Sequence, residues 1–276
     1  NSTLKLNAGL SVAGTLKTNN TTTLTLNSNA LDFSGGQAAT GGVLEVSGNL
    51  TLDGMTFDEK STIKLNAGTS LSSNAAFTVK TIEMGTNWLM LGSDSTDLTI
   101  ADNLTVIGGL GSEYADLTLN GPVDVQGSGI SSRGGTVTFG TGAGETSFAE
   151  NTGMRLDNTT FVLKTSLNVE WLTLRGVTSA LQDNGNLLNI NKGFRIGGGS
   201  ELDFTNVVTD NGTDLNLDGD ASINKPGGDI VFRHLNLKGY KLTLNSDIGS
   251  LTANGIGLLN DWDSSAANYL ASTGEL

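Results

Sequence analysis

The residues that could bind a metal form one short acidic segment. Residues 214–219, which begin at Asp214 and read Asp-Leu-Asn-Leu-Asp-Gly, match the first half of a calcium-binding loop. The twelfth position of such a loop requires glutamate, and this chain has Lys225 there. Because Asp210 and Asp220 lie nearby, weak calcium binding at this segment stays open, but we predict that the chain has no metal site and needs no calcium.

Few residue types that catalyse reactions occur in this chain. It has one histidine, His234, and no cysteine, which excludes thiol catalysis, disulfides and cysteine-based zinc sites. Alternation along residues 231–237 does not settle on which face of a strand His234 lies. We expect a surface histidine, and we predict no catalytic residues and no bound cofactor.

The charge balance excludes several classes of partner. The chain has 28 acidic and 15 basic residues, for a formal net charge of −13. It has no Lys/Arg cluster in its sequence that could replace phosphate counterions, which argues against nucleic acid and against anionic lipid. No apolar run reaches the length of about 18 residues that a spanning helix needs, so we expect no membrane insertion in this segment.

A repeat of short alternating patches organises the chain. The motif is an apolar residue, any residue, a second apolar residue and then Asn or a small residue. Successive copies begin at Leu4, Leu24, Leu44, Ile63, Leu98, Leu117 and Val137. The first intervals are 20, 20 and 19 residues, and the last two are 19 and 20.

Alternation with a period of two predicts strands that have one buried face. Patches this short cannot form hairpins, so each must pair with its equivalent one repeat away, which coils the chain into a β-solenoid. We therefore predict an all-β fold with coils of roughly 19–20 residues over residues 1–256 and a C-terminal tail or cap over residues 257–276. Residues 142–152 and 218–229 are predicted to protrude as loops.

An asparagine often follows the motif. We expect it to turn the corner between strands in a left-handed conformation and to bond to the asparagine of the next coil. The asparagines in question are Asn7, Asn27, Asn66, Asn120, Asn191 and Asn245.

The repeat, with Asn and Gly at its corners, resembles the right-handed parallel β-helices of filamentous haemagglutinins and autotransporter passenger domains. Residues 4–18 and 98–130 show the similarity best. The resemblance implies an extracellular place on a bacterial cell surface and a part in adhesion or fibre building. The implied partners are a host or surface receptor or glycan, or copies of the chain itself.

Parallel β-helices also include polysaccharide lyases and hydrolases. The chain lacks the Asp-Asp pair and the Gly-His-Gly segment found in β-helical galacturonases. Its arginines are few and look scattered along the sequence: Arg133, Arg155, Arg175, Arg195 and Arg233. We therefore expect no enzyme but an adhesin segment or rigid stalk that presents loops for attachment, and a self-assembling subunit of a fibre or surface layer is the alternative.

Exposed aromatic residues would favour the adhesin over the self-assembling subunit. The candidates are Trp88, Tyr114, Trp171, Tyr240, Trp262 and Tyr269.

Overall fold

A computed structural model of the chain describes residues 2–5, 7–12, 14–17, 22–25, 31–33, 42–92, 97–226, 228–245, 250–257 and 269–272. The described part is all-β, with strands that pair in parallel with equivalents about 21 residues away. This confirms the predicted β-solenoid, whereas its right-handedness stays a prediction. The chain divides into two compact units, Asn1–Ser147 and Phe148–Leu276.

Short strands stack in parallel to form the walls of the first unit. One stack contains Leu50–Thr51, Thr69–Ser72, Leu89–Leu91, Leu110–Glu113 and Ile130–Arg133, and another contains Phe77–Val79, Leu98–Ile100, Leu117–Leu119 and Thr136–Phe139. A third contains Thr15–Lys17, Val43–Val46, Thr62–Leu65 and Thr81–Glu83. The remaining strands of this unit are Ser2–Lys5 with Thr22–Thr25, then Leu10–Ser11, Leu31–Asp32 and Met55–Thr56, and finally Leu104–Val106 with Val123–Val125. Strand Ser147–Phe148 lies at the boundary of the two units.

Longer strands form the main sheet of the second unit. They are Gly153–Asp157, Leu167–Arg175, Leu188–Gly197, Asp214–Leu217, Asp229–Asn236 and Ser250–Gly257, with Val207–Val208 pairing beside Leu188–Gly197. A second stack contains Ser200–Asp203, Ala221–Asn224, Lys241–Asn245 and Tyr269–Ser272. Thr160–Leu163 pairs with Ala180–Gln182.

The alternating motif places its apolar residues inside the coils. Leu117 and Leu119 are buried, whereas Thr118 between them faces outward. Leu119 pairs with Ile100 on one side and Phe139 on the other. Burying a leucine of this kind contributes about 1.5–3 kcal/mol, and stacking repeats the gain in every coil.

Both predicted loops are wrong in part, because each contains residues that belong to the coils. Residues 141–145 form a 3-10 helix in which Ala143 is buried, and the next residue, Thr146, accepts a hydrogen bond from the backbone of Val123 at 3.1 Å. Ala221–Asn224 is a strand that pairs on both sides.

The predicted tail lies mostly outside the described residues. Of residues 257–276, Gly257 ends a strand and Tyr269–Ser272 is a strand that pairs with 241–244. The predicted boundary at residue 256 therefore stays untested. In the described part of the chain, no helix has the length and apolar character needed to cross a membrane.

The left-handed corner conformation was predicted for the wrong asparagines. Asn66, Asn120 and Asn191 do not adopt it, whereas three other asparagines have positive φ: Asn151, Asn158 and Asn184. The amides of Asn66 and Asn191 instead bond to Glu45 and Glu170 of a neighbouring coil, at 3.3 and 3.1 Å. Asn27 lies outside the described residues.

Asparagine pairs between coils do occur, but between outward residues within the strands. Asn189 donates to Asn168 at 2.6 Å, and Asn236 donates to Asn216 at 3.2 Å. The predicted interaction therefore exists, and its position along the coil differs.

Candidate ligand-binding face

The outward side of the main sheet of the second unit carries a regular grid of side chains, here called the recognition face. Its first column contains Gly153, Trp171, Gly193, Asp214, His234 and Gly255. The second column contains Arg155, Thr173, Arg195, Asn216 and Asn236. The third contains Asp157, Arg175 and Gly197, and Asp218 and Lys238 follow at the ends of their strands. Neighbours in a column are about 4.8 Å apart, because that is the spacing of paired strands.

Asp157 is the centre of one charged cluster on this face. Arg175 binds it with two parallel hydrogen bonds, from Nε at 2.8 Å and from Nη2 at 2.9 Å. The Nε of Arg155 binds the same carboxylate at 3.0 Å. Burial raises the pKa of Asp157, but the hydrogen bonds and charges of Arg175 and Arg155 outweigh this effect and leave the pKa below its ordinary value. The carboxylate therefore stays ionised and fixes both guanidinium groups.

Asp218 is the centre of a second cluster. Its carboxylate lies 3.4 Å from the Nε of Arg195, 3.5 Å from the Nη1 of Arg175 and 3.5 Å from the Nζ of Lys238. Arg175 therefore bridges Asp157 and Asp218, which joins both clusters into one network across several coils. The carboxylates are largely covered, with 16% of the Asp157 side chain and 20% of the Asp218 side chain exposed.

Asp214 holds a third group of charges. Arg233 binds it with two hydrogen bonds of 2.8 and 2.6 Å, and the Nδ1 of His234 lies 3.0 Å from its Oδ1. Mainly through its hydrogen bonds, Arg233 lowers the pKa of Asp214 below the ordinary value.

His234 lies at the surface, as expected. The alternation was ambiguous because Arg233 and His234 are consecutive outward residues, between inward Phe232 and inward Leu235. The strand shifts its phase by one residue at this point.

The acidic segment is engaged by cations of the protein. Asp214 begins a strand and Asp218 follows its last residue, Leu217, so about 13 Å of extended chain separates their Cα atoms. Asp210 bonds to the backbone of Gly212, and Asp220 accepts a bond from the backbone of Lys241. Across the described ranges, no three residues of the His, Cys, Asp and Glu types are grouped to hold a metal ion. Independence from calcium stays a prediction.

Trp171 is the aromatic residue of the recognition face. Its ring lies on the Cα of Gly193 in the next coil, where an added Cβ would collide with the ring. The six-membered ring therefore fills the space that a side chain at residue 193 would need, and 38% of Trp171 remains exposed. In the first unit, a Cβ added to Gly68 would likewise collide with the ring of Trp88.

The other aromatic candidates that the structure describes do not lie in these columns. Trp88, Tyr114 and Tyr240 are exposed elsewhere, Trp262 lies outside the described residues, and only the backbone of Tyr269 is described.

The arginines are not scattered in space, which corrects the sequence-based view. Arg155, Arg175, Arg195 and Arg233 share this one face. The signal was their spacing, since the first three are 20 residues apart, close to one coil. These four arginines and Lys238 contact Asp157, Asp214 and Asp218, and Lys192 pairs with Glu170 on the same side of the sheet.

Comparison with protein-family models, curated proteins and solved structures found no match to this chain. The resemblance to bacterial surface proteins therefore stays a prediction, and the case for function depends on the geometry of the face.

Proposed function

We propose that this chain is a non-catalytic recognition segment of an extracellular bacterial surface protein. In this proposal the β-solenoid is a rigid support, and the recognition face contacts a glycan or receptor on a host or another surface. The observation that carries the proposal is the grouping of Trp171 with Arg155, Arg175 and Arg195 on one sheet face. Tryptophan and arginine dominate the energy of many binding interfaces, and residues fixed before binding lose less entropy.

The state of the carboxylates supports binding rather than acid–base catalysis. A general acid or base works best with a pKa near the working pH. The pKa values of Asp157 and Asp214 are instead lowered by neighbouring arginines. These carboxylates are therefore suited to holding arginine side chains in place.

The extracellular bacterial location is supported by the style of the repeat and by the absence of cysteine. The parallel β-solenoid fold is the one that the resemblance implies. The alternative, a self-assembling subunit of a fibre or layer, uses the same fold and is separated from the adhesin by experiment.

Two matched variants test the proposal. Thr173 lies at the centre of the recognition face, and Thr118 is an outward residue of a different sheet in the first unit. Each lies between two inward leucines. Thr173→Trp covers the face, and Thr118→Trp adds the same bulk elsewhere. The purified proteins are compared for binding to an array of host and bacterial glycans and to epithelial cells.

We expect the wild type and Thr118→Trp to bind alike and Thr173→Trp to lose binding, with circular dichroism unchanged in all three. Binding that Thr173→Trp leaves intact, or the lack of any binding, contradicts the proposal. Growth of the wild type into fibres, seen by electron microscopy, without glycan or cell binding would support the self-assembling subunit. Degradation of a polysaccharide by the wild type would show an enzyme instead.

A further inference from the structure

We infer that the ligand of the recognition face is a carboxylated polysaccharide, with a sugar ring stacked on Trp171 and its carboxylates paired with Arg155 and Arg195. This inference rests on the proposed function and specifies the class of ligand.

The Nε atom of each of these two arginines faces a carboxylate, which leaves the rest of the guanidinium group free. Asp157 binds the Nε of Arg155 at 3.0 Å, and Asp218 lies 3.4 Å from the Nε of Arg195. Within the described ranges, the Nη atoms of Arg155 and Arg195 make no hydrogen bond. About half of each side chain is exposed. The planar fork of arginine matches a carboxylate, and an arginine that is already positioned binds it at a lower entropic cost.

The spacing of the two arginines points to an extended ligand. Arg155 and Arg195 occupy the same column with Thr173 between them, so their Cα atoms are about 10 Å apart at the spacing of paired strands. Two guanidinium groups on Cα atoms at this spacing favour a ligand that carries more than one carboxylate. A chain that carries a carboxylate on successive units meets this requirement.

Trp171 supplies the element that favours a sugar over a simple anion. It lies two residues before Thr173 on the same strand, which places it beside the Arg155–Arg195 column at a distance of about 7 Å. The six-membered ring lies against Gly193, and the exposed part of the indole offers apolar surface together with one N–H group. The apolar face of a sugar ring suits such a surface.

The charge distribution separates this ligand from nucleic acid. About half of the Arg155 and Arg195 side chains is exposed, whereas the carboxylates of Asp157 and Asp218 are largely covered. Guanidinium groups rather than carboxylates therefore meet an incoming ligand in this column, which favours an anion locally. The net charge of −13 repels a long, densely charged phosphate chain, and the face lacks the run of lysines and arginines that phosphate neutralisation requires. A polysaccharide with more widely spaced carboxylates fits better.

The test uses an oligogalacturonate and its neutral methyl ester as probes, measured by isothermal titration calorimetry. The variants are Arg155→Gln/Arg195→Gln, Trp171→Ala, Trp171→Phe and, as a matched control in the first unit, Arg133→Gln. Melting temperatures establish that each variant folds. We expect the double arginine variant to bind the acid at least about tenfold more weakly, because each charge-assisted pair is lost. Trp171→Ala should weaken binding, Trp171→Phe should retain most of it, and Arg133→Gln should match the wild type.

Equal affinity for the acid and its ester, or unchanged affinity in the double arginine variant, would overturn the inference. The proposed function would survive that result if another glycan on the array still depended on Thr173. Loss of all glycan binding would overturn both. Tighter binding to a DNA duplex, with the same dependence on Arg155 and Arg195, would replace the polysaccharide with nucleic acid.

Discussion

Asp97 of one coil accepts a hydrogen bond through its Oδ1 from the backbone N–H of Asp116 in the next coil, at 2.8 Å. Asp116 repeats the interaction with the backbone of Thr136 at 2.6 Å. A carboxylate thus serves as a bracket between successive coils. The same type of bond joins Asp53 to Asn74, Asn49 to Ser70 and Asp220 to Lys241. Part of the acidic composition therefore has a structural purpose.

Removing one bracket should weaken the first unit. We expect Asp116→Ala to lower the free energy of unfolding by about 1 kcal/mol, because the N–H of Thr136 loses its acceptor. Asp116→Asn keeps an oxygen acceptor and should cost less. Glu83→Ala, which removes an exposed carboxylate, is the control. Urea denaturation followed by circular dichroism measures all three, and equal effects of Asp116→Ala and Glu83→Ala would contradict the bracket.

A charge inside the coils should be far more damaging. Leu119 is buried between Ile100 and Phe139, so Leu119→Asp places a carboxylate where no partner exists. We expect a loss of more than about 4 kcal/mol, enough to unfold the unit. The control is Thr118→Asp, one residue away and outward. A folded Leu119→Asp protein with an unchanged melting temperature would show that this position is not core.

Leu119 and Asp116 show how much of the fold the sequence could predict. The burial of Leu119 follows from alternation and period alone, since side chains alternate across a strand. The bracket at Asp116 does not, because the corner geometry that aims its carboxylate at the next coil depends on where each turn begins. The left-handed conformation was assigned to the wrong asparagines because the start of each turn could not be predicted.

The columns of the candidate face could not be assigned from the sequence, because the coils differ slightly in length. Arg155 and Arg195 align in one column only because coils of 18 and 22 residues separate them from Thr173. A fixed period of 20 would have put Arg175 in that column instead. The bulge between Val169 and Trp171, which sets this alignment, leaves no distinct mark in the sequence.

Acid should weaken the second unit through Asp157. The folded-state pKa of this carboxyl is lowered, so its contribution to stability is fully present above the unfolded value of about 3.9 and is lost as the pH falls through the folded value. We expect wild type to melt at a higher temperature than Asp157→Asn at pH 7, and the difference to shrink below about pH 4. Calorimetry from pH 7 to pH 3 measures it, and a constant difference would contradict the assignment.

Calcium removal should leave stability unchanged. Asp214 is bound by Arg233 and His234, and Asp218 lies near two arginines and a lysine, so a calcium ion would have to displace these cations. We expect the same melting temperature in chelator and in millimolar calcium. A ligand that binds only the folded state raises the melting temperature. A marked rise of the melting temperature with calcium would therefore show a calcium site that this arrangement does not explain.

Gly193 should control the position of the Trp171 ring. A methyl group at residue 193 would occupy the space of the ring, and Gly193→Ala should therefore push the indole outward into water. We expect a red shift of the tryptophan fluorescence and weaker binding of oligogalacturonate, with only a modest loss of stability because the ring is at the surface. Gly68→Ala is the matched control, since it should displace Trp88 in the first unit by the same collision and leave binding unchanged. If Gly193→Ala moved the fluorescence and binding stayed at the wild-type level, the ring would have no part in recognition. If neither changed, the contact between Trp171 and Gly193 would itself be wrong.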